Sequence, residues 1–183
     1  MGVYFVSREP VRAPAPLRDF AAISRALSDR PTLKKVAGTL SVPSLSRWVI
    51  AACPRGLGTA AESGLVEVYE YDAVRYQALV VGLVEPPADT PVHWIYRRVN
   101  PAAHVVAVCP QFEDLAPAVP RAPAPKGYLG NTDTLIALGR RLKAKEACFV
   151  EGIGLVAGAK DPEALVEVLA AAAGPPPPGE DPA

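Results

Sequence analysis

The sequence predicts an α/β layer fold around one mixed sheet. Three observations carry that prediction. A helical stretch is followed by several strand-like stretches, helices and strands then alternate, and the central unit is itself a helix feeding a buried strand. That unit is residues 86–110, PPADTPVHWIYRRVNPAAHVVAVCP. Thr90 before Pro91 is an N-cap followed by a proline at the first helical position. Val92, Ile95, Tyr96 and Val99 fall at helical spacing, which predicts a short amphipathic helix over 91–99. Asn100-Pro101 ends it, because the residue before a proline is pushed out of the helical region. Residues 104–109 are a β-prone apolar run, closed by Pro110, which cannot donate to a ladder.

The remaining elements follow in order. Residues 3–7 are β-prone, and 9–16 form a proline-rich lead-in without helix. Leu17, Phe20, Ile23, Ala26 and Leu27 mark one face of a helix that ends near Asp29-Arg30-Pro31. Residues 40–42 and 47–52 read as paired strands around Pro43-Ser44-Leu45-Ser46, and 53–63 as a glycine-containing loop. The strict alternation over 66–71 predicts a half-exposed strand; the nearly continuous apolar run over 78–84 predicts a strand buried on both faces. Residues 112–125 are a Pro- and Ala-rich loop. Asn131 or Thr132 caps a helix to about residue 145, with Leu135, Leu138 and Leu142 inward. Strands at 147–150 and 155–157 flank a glycine turn, and Asp161-Pro162 opens a last helix to about residue 173. The organisation is therefore a lead-in at 1–16, one domain at 17–173, and a proline-rich tail at 174–183 expected to be disordered.

Charge and composition narrow the partners. Nineteen basic and 19 acidic side chains cancel, so no basic excess points to nucleic acid or to a polybasic membrane contact. No apolar run approaches a membrane span, and there is no signal-peptide pattern, so the expected location is the cytoplasm. Cys53, Cys109 and Cys148 are too few and too scattered for a disulfide framework or a paired-cysteine metal knuckle.

The ordered set of motifs resembles the class II aldolase/adducin family over about residues 17–173. Ser24-Arg25-Ala26-Leu27 and then residues 36–42 (VAGTLSV) look like its first helix and Gly-Asn-x-Ser-Val segment; residues 50–56 sit at its Ser-Gly phosphate turn. Pro86-Pro87-Ala88-Asp89 stands at its Pro-Ser-Ser-Glu loop, and Ala107-Val108-Cys109-Pro110 at its His-x-His-Pro. Residues 128–132 (YLGNT) and 148–164 (CFVEGIGLVAGAKDPEA) resemble the segments that close the family domain. The resemblance implies a three-layer fold with a mainly antiparallel sheet, and a homo-oligomer, usually a tetramer.

On that resemblance Asp89 takes the place of the catalytic acid and Tyr128 of a loop tyrosine near the site, while Thr39, Ser41, Cys53, Arg55 and Gly56 fall at substrate-contacting segments. Family zinc is held by three histidines, whereas this chain has two in all, His93 and His104, so that site cannot be assembled. The closing His-Gly becomes Ile153-Gly154, or Glu151-Gly152 with the gap placed differently. Zinc Lewis-acid chemistry therefore loses its donors, and no cofactor is expected. The outside alternative is a substitute zinc site of Asp89, His93 and Cys109, all ligand types for that metal.

Each candidate also has a plainer reading. Asp89 is an acid before a helix N-terminus, favoured by the dipole. His93 is a partly buried helix histidine, and His104 is structural. Cys109 and Cys148 are small buried hydrophobes. Cys53 beside Arg55 is either a reactive thiol or a surface contact. Residues 56–59 (GLGT) are an anion cradle or a plain turn. Arg97-Arg98 are a solvated helix face. Three functions follow: a binding or assembly module, as adducin uses this fold; a diverged enzyme on a small carbonyl or sugar-derived compound; and a zinc aldolase with a rebuilt metal site.

Overall fold

The computed structural model describes residues 1–112 and 115–174; of the predicted tail at 174–183, residues 175–183 lie outside them. In chain order the elements are β1 (Gly2–Ser7), α1 (Pro14–Ala26), α2 (Pro31–Lys34), β2 (Gly38–Ser44), β3 (Arg47–Cys53), a 3-10 helix (Leu57–Glu62), β4 (Leu65–Asp72) and β5 (Gln77–Gly82). Then come α3 (Thr90–Val99), β6 (Val105–Cys109), β7 (Arg121–Ala122), α4 (Thr132–Leu142), β8 (Ala147–Val150), β9 (Gly154–Ala159) and α5 (Pro162–Ala172). All strands join one mixed sheet in the order β1-β5-β4-β3-β2-β6-β9-β8-β7. The edge pairs β1/β5 and β7/β8 are parallel, and every pair between β5 and β8 is antiparallel.

Strand alternation sends side chains to opposite faces, and each face carries its own core. On one face Leu40, Val42, Val49, Ala51, Val105 and Ala107 pack under α1 (Phe20, Ile23) and α5 (Leu165, Leu169). On the other, Ile50, Val66, Val68, Val80, Val106 and Val108 pack under α3 (Val92, Ile95, Tyr96) and α4 (Leu135, Leu138, Leu142). This is the expected α/β layering, helices on both sides of a central mixed sheet.

Several expectations are corrected. Residues 2–7 are an integral edge strand, so the N-terminus is no mere lead-in. The first helix starts at Pro14, inside the proline-rich stretch, because a proline in the first turn needs no N–H partner. Strand β5 alternates and leaves Leu79 37% exposed, so it is not buried on both faces; no helix among the described residues covers its outer side. Thr90 is not the N-cap of α3: Asp89 occupies that position and makes no side-chain cap, its carboxylate being engaged elsewhere. Asn131 and Asp161 do cap α4 and α5, accepting from Asp133, Thr134 and Ala164 backbone N–H groups.

Helix α3 is held against α4 at Gly139, where an added Cβ would stand 2.7 Å from an Ile95 side-chain carbon. Two effects compete there. Gly139→Ala gains about 1 kcal/mol of helix propensity, offset by the shift its Cβ forces on Ile95 Cγ1 and Cδ1 and on Val99 Cγ1, at 2.7, 3.0 and 3.2 Å. Gly139→Val adds a branched group that must push the helices apart, and we expect a loss of about 2 kcal/mol. Chemical denaturation of both variants checks this: near-wild-type stability for alanine and a clear drop in midpoint for valine.

Candidate functional site

Strand alternation puts Thr39 and Ser41 of β2 on the face toward α3, while Leu40 and Val42 face the opposite core. Helix α3 presents Asp89, His93 and Arg97 at successive four-residue steps, one stripe along its buried side. The two rows interleave. Thr39 Oγ1 donates to Asp89 Oδ2 at 2.5 Å and lies 2.8 Å from His93 Nε2. Ser41 Oγ lies 2.8 Å from His93 Nδ1. Arg97 donates to Ser41 Oγ at 3.0 Å, to the Ser41 carbonyl at 2.7 Å and to the His104 carbonyl at 3.1 Å.

Donor inventory fixes the direction of this chain. Arg97 can only donate, and an ionised Asp89 can only accept. Ser41 therefore accepts from Arg97 and donates to His93 Nδ1; the imidazole carries its proton on Nε2 and donates to Thr39; Thr39 donates to Asp89. His93 is wholly buried, and desolvation, with Arg97 second, holds its pKa well below the usual imidazole value, as the neutral tautomer requires. Trp48 stacks on it, ring centroids 6.2 Å apart. Desolvation pushes the Asp89 carboxyl up to about 6 against the opposing hydrogen bond from Thr39. Asp89 Oδ1 is buried and has no hydrogen-bond partner among the described residues. Asp89 can therefore give or take one proton at Oδ1 while Oδ2 keeps its bond. The Thr90 hydroxyl and backbone N–H both donate to the Pro87 carbonyl, at 2.6 and 3.1 Å, and set the loop that carries this acid.

Comparison with solved structures gives the architecture its place. An aldolase II superfamily protein from Pseudomonas syringae superposes with a TM-score of 0.58 at 16% identity, covering 87% of this chain and 73% of that one. L-fuculose-1-phosphate aldolase from Thermus thermophilus gives 0.51 at 16% identity over 85% and 89% of the two chains. A sugar-phosphate aldolase from Thermotoga maritima gives 0.52 at 14% over 84% and 93%. The chain has the class II aldolase fold. No family model and no curated protein matches at the level of sequence.

Within this aldolase fold the described residues do not fit a zinc ion. Both ring nitrogens of His93 are taken by hydroxyls, and His104 reaches away to Asp19 Oδ2 at 2.7 Å, tying β6 to α1. Ala107 offers no donor, and Cys109 is wholly buried, its thiol pushed up first by burial and then by the Asp89 charge. Among the described residues no three His, Cys, Asp or Glu side chains come together as a metal site, so Asp89, His93 and Cys109 do not form the alternative ligand set.

The other candidates separate. Cys53 faces the opposite core from Thr39 and Ser41, and burial pushes its thiol up to about 11, so it is neither a reactive thiol nor a surface contact. Arg55 is exposed and pairs with Glu62 at 3.3 Å. Gly56 is no anion cradle: its φ is +116° and an added Cβ would meet the Lys34 carbonyl at 2.2 Å. The N–H groups of Gly56 and Leu57 are spent on the Cys53 and Val36 carbonyls. Tyr128 is 63% exposed and packs edge-on against Tyr76 at 4.9 Å, with no bond to Asp89. Arg97 was hidden in an apparent solvated pair. The missed signal is the four-residue spacing of Asp89, His93 and Arg97 on an otherwise apolar helix face.

Asp89 and His93 should load the pH dependence of stability with opposite signs. The folded Asp89 pKa of about 6 lies above its ordinary 3.8, so its contribution is present below the unfolded value and lost as pH rises through about 6. His93 stays neutral in the fold, so the unfolded chain binds the extra proton below its ordinary value of 6.5 and stability falls on acidification. The two slopes oppose each other between about pH 4 and 6. Asp89→Asn should unmask the His93 slope, about 1.4 kcal/mol lost per pH unit below 6, and His93→Gln the reverse slope. Denaturant unfolding at several pH values reads both directly; parallel curves for wild type and variants would contradict it.

Proposed function

We propose that the chain is a diverged protein of the class II aldolase/adducin type that has left zinc-dependent sugar-phosphate cleavage and works as a binding or assembly module. The observation that carries the reading is the chemistry at the positions of the lost donors: Ala107 and Cys109 are wholly buried side chains packed in an apolar core. An isolated carboxylate has no comparable way to stabilise an enediolate. Assembly is supported by the outer side of β1 and β5, where Tyr4, Val6 and Leu79 are 54%, 56% and 37% exposed with no helix of the described residues above them. A homo-oligomer is the form this reading favours.

Elemental mass spectrometry of protein purified without an affinity tag tests it. We expect well under about 0.1 zinc per chain; about one per chain, lost on Cys109→Ser, would overturn the reading. Light scattering should give at least twice the 19.2 kDa of one chain, and a monomer mass would count against assembly.

A second reading, a diverged enzyme acting on a small carbonyl or sugar-derived compound, is favoured by the unengaged Asp89 Oδ1. Asp89 would take a proton from carbon next to a carbonyl, with Thr39 holding its other oxygen and His93, Ser41 and Arg97 keeping Thr39 in its donating orientation. Deuterium exchange into hydroxyacetone reads this step. Under this reading the rate rises with pH through about 6 and falls about 100-fold in Asp89→Asn; no exchange above the protein-free rate leaves the binding module.

A further inference from the structure

At the far end of α3 from Asp89, roughly 15 Å along the helix, a cleft of about 480 Å³ opens between α3, the α4–β8 turn and the β9–α5 turn. We propose that it binds a small amphipathic carboxylate, with its apolar body against Tyr96, Val99 and Val168 and its charged head among Lys143, Lys145 and Lys160.

The volume lies within the range of small-molecule sites. The lining is mostly apolar, Pro101 and Ala103 joining the three residues just named. Its charge is one-sided: three lysines against the single acid Glu146. None of these lysines forms an ion pair with a carboxylate among the described residues. The Lys145 ammonium also donates to Cys148 Sγ at 3.9 Å, so Lys143 and Lys160 carry most of the attraction for a carboxylate, and a cation would meet repulsion.

The walls are fixed rather than loose. Tyr96 donates its hydroxyl to the Lys145 carbonyl at 2.7 Å. Its ring lies so close to β9 that a Cβ on Gly158 would stand 2.3 Å from it. Asn100 clamps the turn that carries the lysines, donating to the Leu142 carbonyl at 3.0 Å and accepting from the Ala144 N–H at 2.7 Å. Between Lys143 and Lys145 that turn holds Ala144 at φ +57°, a left-handed conformation usually left to glycine. The floor and the charged rim are thus preorganised, which lowers the ordering cost of binding. The inference does not depend on what happens at Asp89.

Amide chemical-shift titration of the full chain with octanoate, below its micellar concentration, tests it. We expect saturable shifts centred on Ala103, Ala144, Lys145 and Gly158, and binding of octanol about tenfold weaker. Lys143→Glu with Lys160→Glu should weaken octanoate about tenfold, and the milder Lys160→Gln about threefold, should the double variant fail to fold. Arg55→Glu, a charge reversal on an exposed residue outside the cleft, should leave it unchanged. Equal affinity for octanol, shifts centred on Tyr4, Val6 and Leu79, indifference to the lysine changes, or no saturable binding would each overturn the proposal.

Discussion

The polar seam between β2 and α3 is the constraint on which the rest of this structure depends. Two strand residues rise about 6.8 Å and four helix residues about 6 Å, so a strand row and a helix stripe can mesh tooth for tooth. Thr39 sits between Asp89 and His93, and Ser41 between His93 and Arg97. Rotating α3 or slipping it by a residue would strand several buried polar groups at once, each costing about 1–3 kcal/mol. Apolar packing at Val92, Ile95 and Tyr96 holds the helix to the sheet; the seam selects its rotation and register.

Charge adds a polarity to that geometry. A guanidinium stands at one end and a carboxylate at the other, with three neutral groups between them whose protons all point the same way. The arrangement keeps His93 neutral, gives it one tautomer and leaves a single oxygen, Asp89 Oδ1, unengaged. It also explains why Asp89 is not an ordinary helix cap: its carboxylate is committed to Thr39, and the Thr90 hydroxyl turns back to Pro87 instead.

The sheet divides residues that the chain brings close in sequence. Thr39 and Cys53 belong to paired strands, yet they face opposite cores, so they cannot line one site. The glycines after Cys53 serve close approach to α2 rather than a ligand. The chain thus has the aldolase fold, with Ala107 and Cys109 of β6 wholly buried in the core. Arg97 also reaches toward the cleft at the other end of α3, donating to the Ala103 carbonyl at 3.5 Å, so one helix carries both regions.

Much of the fold was legible in the sequence because local rules settle it. Alternation over 66–71 gave a strand, the spacing of Leu135, Leu138 and Leu142 gave a buried helix face, and Asp161-Pro162 marked a helix start that the structure places there. The count of two histidines alone excluded a three-histidine site. The rest needed tertiary structure, because facing and desolvation are not local properties. Residues 3–7 look β-prone but stand in a lead-in until a parallel partner is found in β5. Arg97 looks solvated until Ser41 and His104 present carbonyls to it, and Asp89 looks like an acid placed for the helix dipole until Thr39 meets it. Periodicity by itself located most of the elements, and the histidine count ruled out a three-histidine site; only the packing of α3 on β2 decided which polar side chains share a site, since that is set by contacts some 50 residues apart.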